Sequence, residues 1–149
     1  MQLSDSDLEC VQVYDDGTTL NGAPGVRYVD KINRNTSAGY PYKRSKRFFL
    51  SPMNAEDCVS PTDVVFCDEI MEQVRSMIET YEQGVMCHPI FNGNLKDEPK
   101  KAGKMTRVFM GASAAASFVC RKYLLSVIKL IQENKFIFEC GPGTVARIS

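Results

Sequence analysis

Five cationic side chains, Lys96, Lys100, Lys101, Lys104 and Arg107, fall within the stretch NLKDEPKKAGKMTRVFM between Asn94 and Met110. Pro99 and Gly103 interrupt any helix there, so the five cannot share a helix face. An irregular or hairpin-like loop can still converge them on one point. Such a cluster holds polyanions: arginine grips two phosphate oxygens at once, and lysines act as mobile point charges. The phosphates of a nucleic-acid backbone or of a nucleoside triphosphate are the ligands that fit. Asp97 and Glu98 oppose the local sign and read as groups that orient the neighbouring cations or pair with another segment. The competing reading is a solvated basic loop with no ligand.

A second stretch, NTSAGYPY (Asn35–Tyr42), gathers hydroxyls, a glycine and two aromatics ahead of the basic run Lys43–Arg47. Glycine permits close backbone approach to a ligand, and Thr36 and Ser37 can bond phosphate oxygens. The basic run adds sequence-independent attraction to a nucleic acid. Tyr40, Tyr42, Phe48 and Phe49 can stack on bases, with core packing an equal reading for the Phe pair. The formal net charge is zero, but the zero sums unlike pieces. Residues 27–47 carry seven Lys/Arg against Asp30, and residues 56–82 carry eight acids against Arg75. Two basic segments flanking an acidic one can form one positive surface if the fold joins them.

The elements that must position these residues can be sketched from pattern. Residues 1–26 are rich in turn formers and read as an irregular arm, with a short strand near Val11–Tyr14. Residues 32–42 read as a loop. Ser60-Pro61-Thr62-Asp63 reads as a helix start with a capping acid. The helix carries an apolar stripe of Cys67, Met71, Val74, Ile78 and Tyr81, a solvated acidic face, and a stop at Gly84. Thr106–Met110 reads as a short strand. A longer helix over Ala114–Glu133 follows, with a broad apolar face of Phe118, Val119, Tyr123, Leu124, Leu125, Ile128 and Ile131. Lys135–Phe138 reads as a further strand, and Gly141-Pro142-Gly143 as a turn. The class is α+β.

Other chemistries find little support. Six scattered cysteines without a C-x-x-C pair, and the single His88, argue against a zinc site. No apolar run approaches the about 20 residues that span a bilayer. The acidic N-terminus lacks an apolar signal region, which favours reduced thiols in a cytosolic compartment. Cys87 and His88 are adjacent and so diverge on an extended chain, which disfavours a Cys-His dyad.

The two motifs together resemble a known family. KDEP…GK…TRVF is similar to motif F of the RNA-dependent RNA polymerases of picorna-like positive-strand RNA viruses, and NTSAGYPY resembles their motif G. Order and flanks match from about Gly25 to Ser149, and FECGPGTV resembles the turn that leads toward the palm. The resemblance implies the fingers portion of a right-hand polymerase over residues 27–149, ending before palm motif A and incomplete without the palm. It implies that Lys96 and Arg107 contact the triphosphate of an incoming NTP, with Lys104 at the Gly-Lys-x-Arg element. Here two residues, Met105 and Thr106, separate Lys104 from Arg107, and Lys100 and Lys101 are both candidates for the central cation. It further implies that Thr36, Ser37, Ala38, Gly39, Tyr40 and Pro41 border the template RNA.

Polymerases of this family use divalent metal, Mg2+ or Mn2+, held by palm aspartates in D-x4-D and Gly-Asp-Asp elements downstream of motif F. Asp63–Asp68 has D-x4-D spacing but precedes motif F and lacks a Gly-Asp-Asp partner, so it is set aside. Asp15-Asp16-Gly17 is likewise misplaced. No catalytic or metal residue is assigned in this chain. The expectation is a polymerase piece that binds template RNA and NTPs, works with the palm and thumb of the same enzyme in the host cytoplasm, and does not polymerise alone. A non-catalytic RNA-binding module is the alternative.

Overall fold

A computed structural model describes residues 3–139 and divides the chain into two units, residues 1–32 with 120–149 and residues 33–119. The turn expected after Cys140 lies outside the described residues.

In the first unit the chain is less irregular than its turn-rich composition suggests. Helix α1 (Asp5–Glu9) is set by a reciprocal cap: Ser4 Oγ accepts the Asp7 N–H, and Asp7 Oδ2 accepts the Ser4 N–H at 2.9 Å. Helix α2 (Asp16–Asn21) starts at Asp15, whose carboxylate takes the Thr18 N–H at 2.8 Å and the Thr18 hydroxyl at 2.7 Å. These two caps are what the reading of an irregular arm overlooked. Val11–Tyr14 is not a strand. It runs along the C-terminal part of helix α4 (Ala114–Glu133), bonding Gln12 to the Ser126 hydroxyl and the Tyr14 N–H to the Lys122 carbonyl. A helix offers no ladder of free backbone groups, so an extended segment beside it pairs through side chains and single carbonyls. Leu20, Val29, Ile32, Leu125 and Leu130 fill this unit's core. Lys135–Phe138 is also not a strand: the Ile137 and Phe138 amides both donate to Asn134 O, continuing α4 as turns.

In the second unit, β1 (Leu50–Pro52) pairs antiparallel with β2 (Val64–Phe66), with Leu50 opposite Phe66. The expected helix start at Ser60–Asp63 is a turn. Asp63 Oδ2 reaches back to the Val59 and Ser60 amides at 3.0 and 2.8 Å, and the β-branched pair Val64-Val65 goes into the strand. Helix α3 (Asp68–Glu82) begins later, and Gly84 follows its end in a left-handed conformation, as expected. Its deepest residues are Ile70 and Val74, while Tyr81 is exposed, so the stripe is rotated from the expected one. The acids Asp68, Glu69, Glu72, Glu79 and Glu82 face solvent, as expected.

Strands β3 (Asn92–Leu95) and β4 (Val108–Gly111) form a hairpin, with Asn92 opposite Gly111 and Leu95 opposite Val108. The first turns of α4 bury Ala114, Ala115, Ala116 and Phe118, and Phe118 meets Phe66 edge-on at 6.1 Å between centroids. The bounds of α4 are those expected. Its broad apolar face is only partly covered, because Tyr123, Leu124 and Ile128 remain exposed.

Tyr42 ties the basic loop region to α3. Its hydroxyl donates to Glu69 Oε1 at 2.7 Å and accepts from Gln73 Nε2 at 2.5 Å, and its ring packs on Phe49 at 4.6 Å. Burial, then the Glu69 hydrogen bond, push its phenol above the ordinary value. Tyr42→Phe keeps the ring and removes both bonds. It is expected to cost about 1 kcal/mol, read as a lowered midpoint in thermal unfolding. Phe48, by contrast, is 74% exposed.

Candidate nucleic-acid interface

The loop around Gly39 is folded on itself and then clamped. A bridge joins Ser37 to Ser45, Ala38 N–H donates to Arg44 O, Lys43 N–H to Gly39 O, and Lys46 N–H to Thr36 O. From the other side, the Ala114 N–H at the start of α4 donates to Ala38 O at 2.7 Å. Ala38 is therefore fully buried with both backbone groups used, and it holds the loop rather than presenting a contact. Tyr40 and Pro41, joined by a cis peptide bond, are exposed.

The hydroxyls of this loop differ in what they have left to give. Thr36 Oγ1 donates to Asn33 O at 3.0 Å and accepts from the Lys46 ammonium at 2.6 Å. Ser37 Oγ accepts the Gly39 N–H at 3.0 Å and, among the described residues, keeps its own hydrogen for another acceptor. Within the basic run Lys43–Arg47 the side chains differ in setting: Lys46 is buried, while Lys43, Arg44 and Arg47 are exposed.

Beside this loop lies a groove of about 660 Å³. Thr36, Ser37, Gly39, Lys43 and Lys46 form one wall, and Asn92–Asn94 with Phe109–Ala112 of the β3–β4 hairpin form the other. Among its described lining residues there is no carboxylate. A smaller cavity of about 480 Å³ is lined by Glu69 and Glu72 of α3, a sign unsuited to a polyanion.

The five cations expected to act together sit beyond the Leu95–Val108 end of the hairpin and do not line the groove. The Lys96 N–H donates to Arg107 O at 2.8 Å, which extends the ladder by one pair and closes the loop at its neck. Glu98 draws the two neck cations together. It accepts from Arg107 Nε and Nη2 at 2.7 and 2.5 Å and from Lys96 Nζ at 3.1 Å. The Arg107 hydrogen bonds first, then Lys96, hold the Glu98 carboxyl below its ordinary value. Lys100 Nζ bonds the Thr106 hydroxyl, while Lys101 and Lys104 are exposed at the tip. Lys96 and Arg107 thus meet at one carboxylate, and Glu98 as the group that orients the neighbouring cations was one of the open readings of the loop's acids.

A divalent metal does not fit these residues. Among the described residues no group of three His, Cys, Asp or Glu could hold one. Asp63 is engaged by backbone amides and Glu98 by cations.

Residues 3–144 match the family described as viral RNA-dependent RNA polymerase, and the chain belongs to that family. It is 26% identical over 144 residues to the replicase polyprotein of acute bee paralysis virus (strain Rothamsted), covering 93% of this chain and 7% of that protein. It is also 26% identical over 131 residues to the replicase polyprotein of Drosophila C virus (strain EB), covering 84% of this chain and 7% of that one. The fold resembles a Sicinivirus 3Dpol RNA-dependent RNA polymerase, with a TM-score of 0.64 at 17% identity over 89% of this chain and 29% of that chain. The chain thus spans a small part of the length of these relatives. Among the described residues no helix is long and apolar enough to cross a membrane.

Proposed function

We propose that these residues form the fingers portion of a viral RNA-directed RNA polymerase, which guides template RNA and gathers incoming nucleoside triphosphates for template-directed nucleotidyl transfer. The observation that carries this reading is the carboxylate-free groove where the Thr36–Gly39 loop faces the hairpin that bears the cation loop. In the groove, the free Ser37 hydroxyl and the Lys43 ammonium take backbone phosphates of the template. At the loop, Lys96 and Arg107 take the triphosphate of the incoming nucleotide, aided by Lys100, Lys101 and Lys104. Magnesium or manganese would supply Lewis-acid chemistry in the intact enzyme, held by carboxylates outside the described residues. The palm and thumb of the same polymerase, template and product RNA, and NTPs are the partners this reading assigns. The host cytoplasm, at sites of viral RNA replication, is the compartment.

Lysine acylation of the intact polymerase tests the division of labour. NTP is expected to protect Lys96 and the loop lysines Lys100, Lys101 and Lys104, and single-stranded RNA to protect Lys43. Protection by RNA alone, with NTP silent at every lysine, would leave an RNA-binding module and remove the nucleotide role.

A further inference from the structure

The dipeptide Asn-Gly occurs twice in the sequence, at Asn21-Gly22 and at Asn92-Gly93. Glycine after asparagine leaves the next backbone nitrogen without a Cβ beside it, so that nitrogen can reach the asparagine side-chain carbonyl carbon. The fold separates the two sites. The Gly22 N–H donates to Thr18 O at 2.9 Å as the cap of α2, and Gly22 is buried. In the hairpin, the bond from Lys96 N–H to Arg107 O makes those two residues a hydrogen-bonded pair. Such pairs recur at every second residue of an antiparallel ladder. By the register, Asn92 with Gly111 is one of them and Gly93 with Met110 is not. The Gly93 N–H therefore points to the open edge of a two-stranded sheet, where no described residue accepts it. Asn92 lines the groove. Its backbone carbonyl accepts from Asn94 Nδ2 at 3.0 Å, but no described residue bonds its side-chain amide. An extended backbone holds Gly93 N away from Asn92 Cγ, yet a hairpin of four pairs is marginal and opens locally.

We propose that Asn92 is a site of spontaneous deamidation, which places a carboxylate in the wall of the groove. The Gly93 nitrogen loses its proton to solvent hydroxide and bonds to Asn92 Cγ. The Cγ–Nδ2 bond breaks, and the nitrogen leaves as ammonia with a proton taken from water. Water then opens the cyclic imide at one of its two carbonyl carbons. Opening at Cγ gives aspartate. Opening at the main-chain carbonyl gives isoaspartate, whose backbone runs through the side-chain carbon and carries an extra atom into β3. Nothing is oxidised or reduced, and water is the only co-reactant. Either product sets a negative charge where the described groove lining has none. Its consequence for RNA rests on the reading of this groove as the template path: a fixed carboxylate repels backbone phosphates, so affinity falls as the protein ages.

The test incubates the intact polymerase at mildly alkaline pH and follows both Asn-Gly sites by peptide mass spectrometry. Conversion at Asn92 is expected to run about tenfold faster than at Asn21, which must await opening of the α2 cap. Gly93→Ala is expected to slow conversion at Asn92 about tenfold, because a methyl group then crowds the attacking nitrogen. The added carbon would stand 3.7 Å from Met110 Sδ, an ordinary contact that the strand accommodates. Equal rates at the two sites, or no product at Asn92, overturn the proposal and leave the reading of the groove untouched. Titration with labelled single-stranded RNA reads the consequence. Asn92→Asp is expected to weaken binding about tenfold at low KCl, with the deficit shrinking as salt rises, and Asn92→Ala by less than about threefold. Equal losses in these two variants overturn the charge argument. Conversion at Asn92 with wild-type RNA binding by Asn92→Asp keeps the modification site and overturns the groove as template path.

Discussion

Gly39→Ala is expected to cost about 3–5 kcal/mol and, if the groove is the proposed template path, to abolish RNA binding there. Gly39 has a φ of +76°, a left-handed backbone that an L side chain adopts only with strain. A β-carbon there would stand 2.6 Å from Ala112 O and 2.8 Å from Ser113 Cα. Those atoms belong to the backbone that leads into α4, whose first amide donates to Ala38 O, so they cannot yield without pulling the helix start off the loop. Gly103 is the internal comparison. It too has a positive φ, of +82°, but nothing lies within 4 Å of the added carbon. Gly103→Ala is therefore expected to cost only about 1 kcal/mol of backbone strain. Thermal unfolding and RNA titration of the two variants read the contrast. Equal losses at both glycines would mean that the loop is not seated against Ala112 as described.

Arg107→Ala in the intact polymerase is expected to lower kcat/KM for NTP about 10²-fold, the scale of removing one charge-stabilising donor at a phosphoryl-transfer site. Template affinity is expected to change by less than about threefold, since the residue lies outside the groove. Arg107 is mostly exposed, and what orients it is the two-point bond to Glu98, supported by Lys96. Glu98→Ala is therefore expected to give a smaller loss in the same parameter. Combined with Arg107→Ala it should add little, because both changes remove one arrangement. The sign of the pH dependence follows from the lowered Glu98 pKa. The ionised carboxylate holds the arginine above that pKa, and the hold is lost as pH falls through it from below the ordinary 4.5. Equal losses in nucleotide use and template binding on Arg107→Ala would contradict the assigned role.

The relation between α3 and its start shows how a local signal can be right in kind and wrong in place. Ser60-Pro61-Thr62-Asp63 has the composition of a cap, and Asp63 does cap amides, but those of Val59 and Ser60 behind it. Strand β1 then claims Val64–Phe66, and the helix waits for Asp68. Two cations of the basic run show the same limit. Lys43 and Lys46 look alike in the sequence, but only Lys46 returns to Thr36 and is buried.

The sequence by itself determined what depends on local chemistry. The 20-residue span of α4, the stop at Gly84, the α+β class and the strand that follows the cation loop all follow from periodicity, backbone preference and charge within a few residues, whereas strand β3 before the loop is not legible in Asn92–Leu95. Only the tertiary structure decided which groups remain available. Thr36 spends its hydroxyl on Asn33 while Ser37 keeps its own, Ala38 is consumed by Arg44 and Ala114, and Glu98 is the partner that holds Arg107. Hydrogen-bond capacity and charge compensation are settled by neighbours distant along the chain, and a pattern read along the chain carries no record of them.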